Sequence, residues 1–227
     1  MRSIYLQWHS EFIFYCFPRQ RLLQQMDSVL VRSLRPAAEP QHGMWNVEMG
    51  SKMIEETITL EVKAKFSDDR KFRFYLDKIW DETKPKALFV LMNPSKATCL
   101  KLDNTLCNIT NYCIDAGYGQ MRLVNLFPLM AITQTELSGN LQLKKLENDA
   151  EITASIELAD TIYVAWGTED KYKTRKREVE KILFDNQPSQ IRCWKDENGQ
   201  YPKHLRIMSK NWVPTDYIFK YIETETT

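Results

Sequence analysis

The sequence predicts an α/β fold, a three-layer sandwich with a mainly parallel central sheet and an antiparallel hairpin at its N-terminal end. Residues 87–92 form a continuous apolar run, which is typical of a strand buried on both faces of a sheet. Similar short runs alternate with amphipathic segments, a pattern that indicates strand–helix–strand units. A chain of 227 residues is long enough for one such domain and short for two.

The hairpin is predicted from two segments that precede the first buried strand. Residues 57–66 alternate between apolar and polar side chains, as a half-buried strand does. Residues 72–80 fit either a strand or a helix, and the connection Ser67-Asp68-Asp69 favours a second, antiparallel strand.

The remaining elements follow from apolar periodicity and turn residues. Strands are predicted at residues 87–92, 121–126, 161–166 and 191–194, with a further extended segment at 205–208. Helices are predicted at residues 103–116, where Asp103 can cap the first turn, and at residues 148–158, 171–184 and 217–222.

The composition limits the classes of protein to which the chain can belong. Lys and Arg total 31 against 30 Asp and Glu, so the formal charge of +1 provides no global field, and DNA binding would need a local patch. Five cysteines form no C-x-x-C pair and His204 is the only histidine beyond residue 42, so neither a disulfide framework nor a metal site is predicted. No apolar run reaches the ~18 residues of a membrane span. We therefore predict a cytoplasmic protein without cofactor, metal or membrane partner.

Residues 1–55 differ from the rest of the chain. Residues 12–17 are apolar but few, and Glu11 precedes them where a signal peptide needs a basic start. The stretch that follows is rich in Arg, Gln and Pro without a sustained period. We predict a disordered or loosely attached extension here, with a small helix around residues 22–34 as the alternative, and a single α/β domain at residues 56–227.

The candidate site is predicted from the residues that follow the parallel strands, because ligands of open α/β sheets bind beyond the carboxyl ends of the strands. Asn93-Pro94-Ser95 ends the first buried strand, Asn125 lies near the end of the second, and Trp166-Gly167 ends the third. His204 is next to the last extended segment. This set offers amides, a hydroxyl, an aromatic ring and an imidazole for one binding site.

Each of these residues also has a structural explanation. An Asn-Pro pair is an ordinary turn starter, Asp103 suits a helix cap, and Asn125 could hold a loop. Trp166 fits a core position, and His204 a solvated loop. A basic run on the predicted third helix is either a solvated face or a stripe of phosphate contacts; it comprises Lys171, Lys173, Arg175, Lys176, Arg177 and Lys181.

Three common sequence signatures are absent. The chain contains neither G-x-x-x-x-G-K nor G-x-G-x-x-G, the glycine-rich loops that bind the phosphates of nucleotides and dinucleotides. It also lacks G-x-S-x-G, which disfavours an α/β-hydrolase.

The order of short motifs along the chain carries a family resemblance. The motifs are Phe72-Arg73-Phe74-Tyr75-Leu76, Asn93-Pro94-Ser95-Lys96-Ala97, Asp103-Asn104-Thr105, Gly117-Tyr118-Gly119, Val124-Asn125-Leu126-Phe127, Asn148-Asp149 and Ala165-Trp166-Gly167. Over residues 66–214 the chain resembles the largely bacterial family catalogued as domain of unknown function 1643. The closing motif of that family resembles P-x-H-P-L, and here it reads Pro202-Lys203-His204-Leu205-Arg206, without the second proline.

The same order also resembles the mismatch-specific branch of the uracil-DNA glycosylase superfamily. Asn93-Pro94-Ser95 is similar to its N-P-G turn, and Asn125-Leu126-Phe127 with Ile132-Thr133 is similar to its N-L-x-x-R-P-T segment. Residues 163–167 resemble a strand that ends near a glycine, and Pro202-Lys203-His204 resembles a C-terminal Ser/His-Pro loop. The chain departs from this pattern because Ser95 replaces the glycine and no Arg-Pro pair stands before Thr133.

The second resemblance implies a reaction that cleaves a base from its sugar in DNA or in a nucleotide. It implies that Asn93 holds the attacking water, and that the His204 imidazole and the backbone N–H groups around Ser95 stabilise charge on the departing base or bind phosphate. Besides its explanation as a helix cap, Asp103 is a third candidate catalytic residue. The candidate substrate-binding residues are Pro94, Ser95, Asn125, Phe127, Trp166 and Gly167, and the resemblance implies that Phe127 or Trp166 stacks on the base. With a nucleic-acid ligand, the candidate phosphate contacts are Lys173, Arg175, Lys176 and Arg206.

Two other hypotheses stand beside a DNA glycosylase-like hydrolase. In the first, the same site binds a nucleotide or nucleic acid without chemistry, which the neutral net charge and the altered Pro202-Lys203-His204-Leu205-Arg206 loop favour. In the second, the chain is an accessory protein that contacts a partner through residues 1–55.

Overall fold

The computed structural model describes residues 4–6, 54–95, 100–130 and 142–222. The chain divides into two units, Met1–Ile4 with Thr59–Thr227 and Tyr5–Ile58. Almost all of residues 1–55 lies outside the described residues, so the extension and the helix around residues 22–34 stay predictions. Within this segment, β1 (Ile4–Leu6) is a strand of three residues.

The strands of the larger unit form one mixed sheet. Their bounds are β2 (Ile58–Phe66), β3 (Arg73–Ile79), β4 (Lys86–Leu91), β5 (Gln120–Asn125), β6 (Thr161–Val164), β7 (Ile191–Lys195) and β8 (Val213–Asp216). They are hydrogen-bonded side by side in the order β2-β3-β5-β4-β6-β7-β8. The central pairs β4–β5, β4–β6 and β6–β7 are parallel, whereas β2–β3, β3–β5 and β7–β8 are antiparallel. The α/β class and the hairpin are confirmed, but the predicted parallel majority is not, because three of the six strand pairs among β2–β8 are parallel and three are antiparallel.

The described residues form three helices, α1 (Asn104–Asp115), α2 (Lys145–Glu157) and α3 (Lys173–Asp185). Two predictions near the C-terminus are wrong. Residues 205–208 form a turn and a bend instead of an extended segment, and residues 217–222 contain no helix. The strand β8 was not predicted because its sequence, Val213-Pro214-Thr215-Asp216, contains a proline, which a strand accepts at the edge of a sheet.

The central strand β4 contributes to two apolar cores, because successive side chains of a strand point to opposite faces of the sheet. Leu88 and Val90 enter the core that contains residues of α2 and α3. Phe89 and Leu91 enter the other core, which contains residues of α1. The continuous apolar run at residues 87–92 is therefore explained by burial on both faces.

The connections after β4 and β6 run in opposite directions along the sheet. β4 continues through α1 to β5 on one side, and β6 continues through α3 to β7 on the other side. The helices α1 and α3 also belong to different cores. Adjacent parallel strands whose connections run in opposite directions leave a crevice for a ligand at their carboxyl ends. In this sheet these strands are β4 and β6.

Candidate functional site

A cavity of about 480 Å³ lies beyond the carboxyl ends of β4 and β5, beside the first turn of α1. We call it the amide cavity. Its polar lining includes six of the residues that were predicted from sequence, namely Asn93, Ser95, Asp103, Asn125, His204 and Arg206. The fold therefore brings these residues together at one place, although they come from four separate segments of the chain.

Asn125 is the most informative residue of the amide cavity. It is the last residue of β5, and only 1% of it is exposed. Neither its Oδ1 nor its Nδ2 atom has a hydrogen-bond partner among the described residues. Buried polar groups are nearly always paired, and an unpaired one costs about 1–3 kcal/mol of stability. A ligand in the cavity that offers one donor and one acceptor would supply the missing partners.

The neighbouring Asn148, on α2, performs the structural role that was considered for Asn125. The Nδ2 atom of Asn148 donates hydrogen bonds to the backbone carbonyls of Asn125 and Leu126, at 2.9 and 3.2 Å. These bonds hold the end of β5 from the opposite side. The side chain of Asn125 is thus not needed to secure the chain at this point.

The turn Asn93-Pro94-Ser95 directly follows β4, as predicted. Asn93 and Ser95 line the amide cavity, whereas Pro94 is buried. The Nδ2 atom of Asn93 donates a hydrogen bond to the carbonyl of Pro94 at 3.3 Å, and this bond sets the orientation of the amide group. Several residues of the matching motifs lie outside the described residues, namely Lys96, Ala97, Ile132 and Thr133.

His204 is half-buried in the wall of the amide cavity. Its Nδ1 atom accepts a hydrogen bond from the backbone N–H of Arg206 at 3.1 Å. An Nδ1 atom that accepts cannot carry a proton, so the neutral ring carries its proton on Nε2. Burial lowers the pKa of His204 below its ordinary value of 6.5, while the nearby carboxylate of Asp103 acts in the opposite direction. The ring is therefore a neutral Nε2–H donor.

Gly167 brings the end of β6 against the histidine. Its φ is +92°, a conformation that favours glycine, and a Cβ atom placed on it would lie 3.6 Å from the Cβ of His204. That separation is an ordinary contact, so the backbone conformation is the reason for glycine here. Gly167 is adjacent to the amide cavity through His204.

Asp103 combines the two roles that the sequence suggested. It is the N-cap of α1, and its Oδ1 atom accepts a hydrogen bond from the backbone N–H of Leu106 at 2.8 Å. Asp103 also lines the amide cavity, where it is the one carboxylate among the described lining residues. One carboxylate oxygen is thus engaged in the cap, and the carboxylate remains at the cavity wall.

Arg73 is a residue of the amide cavity that sequence reasoning missed as a site residue. The register of β3 against β2 shifts between Lys65 and Phe66, which marks a β-bulge. Arg73 and Leu76 would face opposite sides of a regular strand, but because of the bulge both line the cavity. The signal in the sequence was an arginine between two phenylalanines at the start of a strand that is mostly buried.

Two aromatic residues that were predicted to stack on a ligand are core residues. Trp166 is buried in the α2- and α3-containing core, where its ring contacts Tyr217 edge-on at 5.8 Å. Phe127 is buried in the same core and contacts Tyr172 edge-on at 5.0 Å. Neither ring lines the amide cavity, so the position of Trp166 fits its structural explanation, and Phe127 is a core residue as well.

Two of the basic residues predicted to contact phosphates are buried and have internal partners. Arg175 forms an ion pair with Asp149 at 2.5 Å and donates to the carbonyl of Leu126 at 2.7 Å. Lys176 is 0% exposed and donates to the carbonyl of Glu169. These two positions do not fit a surface contact to DNA, since the periodicity of the helix turns them toward the domain.

The described residues contain no group of three or more His, Cys, Asp or Glu side chains placed to hold a metal ion. None of the helices within the described ranges is long and apolar enough to cross a membrane.

Comparison with known proteins gives one family. No curated protein and no solved structure matches the chain significantly. The family described as Protein of unknown function (DUF1643) matches residues 73–204, which is more than half of the chain. The match begins at the cavity residue Arg73 and ends at the cavity residue His204, so it spans the segments that supply all of the amide cavity except Arg206. The chain therefore belongs to the DUF1643 family.

Proposed function

We propose that the amide cavity binds a nucleobase and that the protein hydrolyses the bond between the base and its sugar, in DNA or in a nucleotide. The proposal includes a uracil-DNA-glycosylase-like three-layer arrangement of the sheet and its helices. The observation that supports it most is the unpartnered amide of Asn125, buried in the same cavity as Asn93 and His204.

An unpartnered amide suits the edge of a base. Asn presents one acceptor and two donors in a plane, and it pairs with bases through two parallel hydrogen bonds. The cost of leaving Asn125 unpaired is recovered only when a ligand with the matching pattern enters. A base of the wrong pattern leaves both partners unsatisfied, so Asn125 would set the choice of base.

The reaction assigns distinct roles to three groups. The oxygen of a water held by Asn93 bonds to the anomeric carbon of the sugar, and the bond from that carbon to the base nitrogen breaks, leaving its electron pair on the base. Asp103 is the carboxylate of the lining that can take the proton of the water. The Nε2–H group of His204 donates a hydrogen bond to the departing base and stabilises its negative charge.

The experiment is incubation with oligonucleotides that carry uracil, mismatched or modified bases, with abasic sites detected by alkaline strand cleavage, and with nucleotides scored for release of free base. We expect Asn93→Ala to lower the rate by at least about 100-fold, because the attacking water loses its position. The matched control is Asn111→Ala, an exposed asparagine of α1 outside the cavity, which should retain full activity. Equal rates in Asn93→Ala and wild type, with both folded by thermal melting, would sink the assignment.

A second function, binding of a nucleotide or nucleic acid without chemistry, is favoured by one observation. One oxygen of the Asp103 carboxylate is already engaged by the N–H of Leu106, so this oxygen serves the helix cap and not the reaction. If this function is correct, a fluorescent nucleotide or oligonucleotide binds the wild type, Asn125→Leu removes the discrimination between bases in that binding, and no free base or abasic site forms.

A further inference from the structure

A second cavity of about 440 Å³ lies at the start of α3. Its lining comes from two separate segments, and we call it the cationic cavity. The lining residues are Thr168, Asp170, Lys173, Arg177, Lys220 and Tyr221. Three of these side chains are cations and one is an anion, although the chain as a whole has a formal charge of only +1.

The single carboxylate neutralises only one of the three cations. Asp170 forms an ion pair with Lys173 at 2.9 Å. The ammonium of Lys220 donates to the backbone carbonyl of Tyr201, which is an uncharged partner and does not neutralise it. Arg177 is exposed and has no ion pair with any described residue. The cationic cavity therefore carries excess positive charge from Arg177 and Lys220.

The two segments that line the cationic cavity, residues 168–177 and residues 220–221, are joined by hydrogen bonds to a buried side chain. The carboxylate of Glu180, which is buried on α3, accepts hydrogen bonds from the backbone N–H groups of Lys220, Tyr221 and Ile222 at 2.6–3.2 Å. It also accepts one from the hydroxyl of Tyr217 at 2.5 Å. These bonds fix the segment that carries Lys220 on the helix that carries Arg177, so the two charges belong to a preformed site.

The cationic cavity adjoins the amide cavity along the backbone that follows β6. Thr168 lines the cationic cavity, and the preceding residue, Gly167, lies against His204 of the amide cavity. Consecutive Cα atoms are about 3.8 Å apart, so a short step of the chain separates the two cavities. The walls of the two cavities therefore meet at residues 167–168, and this proximity is the ground for assigning them to one ligand.

We propose that the cationic cavity binds phosphate groups of the ligand whose base occupies the amide cavity, through Arg177, Lys220 and Lys173. This inference rests on the proposed function, because that function supplies the base. The recognised chemistry is phosphate, either of a free nucleotide or of a DNA strand. Arg177 is the preferred anchor, since its guanidinium forms paired hydrogen bonds with phosphate oxygens.

The test uses the full chain and a fluorescein-labelled DNA single strand of about 12 nucleotides, within the known range of site sizes. Binding is measured by anisotropy over a range of salt concentrations. Arg177→Gln should reduce the slope of log K against log salt by about 0.7, one phosphate contact, and weaken all sequences alike. Lys220→Gln should reduce it by a similar amount. The matched control is Lys181→Gln, on the same helix but outside the cavity and paired with Asp185 at 3.1 Å, which should keep the wild-type slope.

Competition identifies the source of the phosphate. A free nucleotide is indicated if a nucleoside triphosphate displaces the labelled strand, the nucleoside alone does not, and Arg177→Gln weakens the binding of the triphosphate. DNA is indicated if the affinity rises with the length of the strand. A wild-type slope in Arg177→Gln and Lys220→Gln, or wild-type protein that binds neither the strand nor the triphosphate, would overturn the phosphate site.

The variant Asn125→Leu distinguishes an error in the phosphate site from an error in the proposed function. This variant should bind strands of different bases with equal affinity, and its slope of log K against log salt should equal that of the wild type. If Asn125→Leu behaves in this way while Arg177→Gln has no effect, only the phosphate site is wrong. If Arg177→Gln lowers the slope while Asn125→Leu changes nothing, the base site and the function proposed from it are wrong.

Discussion

Arg122 and Asn125 lie on the same strand, β5, and both are almost completely buried, with 8% and 1% of each residue exposed. Their hydrogen bonding differs entirely. The guanidinium of Arg122 donates two bonds to the carboxylate of Asp77, at 2.6 and 2.5 Å, and a third to the hydroxyl of Ser155. The amide of Asn125 has no partner among the described residues.

The difference separates a structural polar group from a binding one. A buried charge is tolerated when its partners are supplied by the fold, as Asp77 and Ser155 are for Arg122. An amide that is buried without partners reduces stability, and such a group belongs where a ligand completes it. The positions of the two residues agree with these roles, because Arg122 lies within β5 and Asn125 lies at its carboxyl end, where ligands of such sheets bind.

The largest expected effect is the loss of stability when Arg122 is deprived of its buried partner Asp77. Asp77→Asn keeps the shape of the side chain but leaves the charge of Arg122 without its counter-ion, so the free energy of unfolding should fall by about 3–5 kcal/mol. Urea unfolding measures this loss. The control is Glu61→Gln, which breaks the exposed pair with Lys63 on β2 and should cost less than about 1 kcal/mol. Similar losses in both variants would contradict the structural role of the buried pair.

The effect of intermediate size is on the free energy of unfolding of two leucine variants, at Asn125 and at Asn148, and its sign should differ between them. Asn125→Leu removes an unpartnered amide, so it should leave the free energy of unfolding unchanged or raise it by about 1 kcal/mol. Asn148→Leu removes two hydrogen bonds to the carbonyls of Asn125 and Leu126 and should lower it by about 2 kcal/mol. Urea unfolding of both variants provides the comparison. Equal destabilisation would mean that Asn125 has a structural partner in the folded protein.

The smallest expected effect concerns the protonation of His204. Its pKa is lowered below 6.5, so the folded protein binds this proton less readily than the unfolded chain does. The associated stability is complete above pH 6.5 and is lost as the pH falls through the lowered pKa. His204→Gln should therefore lose less stability than wild type over that acidic range. Nitrogen NMR of the ring should show the Nε2–H tautomer; an Nδ1–H tautomer or a midpoint above 6.5 would contradict this account.

Much of the fold was predictable because local patterns carry it. The positions of β2, β4, β5, β6 and β7 follow from runs whose periodicity reports burial on one or both faces, whereas β3 was favoured by the turn residues that precede it. The start of α1 was predictable from Asp103, since a cap needs only a side chain that reaches its own first turn. The edge strand β8 was not, because its pairing with β7 depends on distant residues and its own sequence has little strand character.

The candidate site was predictable in part for the same reason. A rule about the ends of parallel strands identified Asn93, Ser95 and Asn125 before any contact was known. It placed Trp166 in the same group, but the ring turns into the core beside Tyr217. A strand end specifies where the backbone stops, whereas the face to which each side chain points depends on packing.

The sequence by itself determined the α/β class, the strand ends that carry Asn93 and Asn125, and the cap of α1, because these depend on neighbouring residues and on periodicity. The tertiary structure decided three further features. A β-bulge placed Arg73 in the amide cavity, the packing of α3 buried Arg175, and hydrogen bonds to Glu180 from residues about 40 positions away held Lys220 near Arg177. Such features depend on which distant segments meet, and no local pattern records that choice.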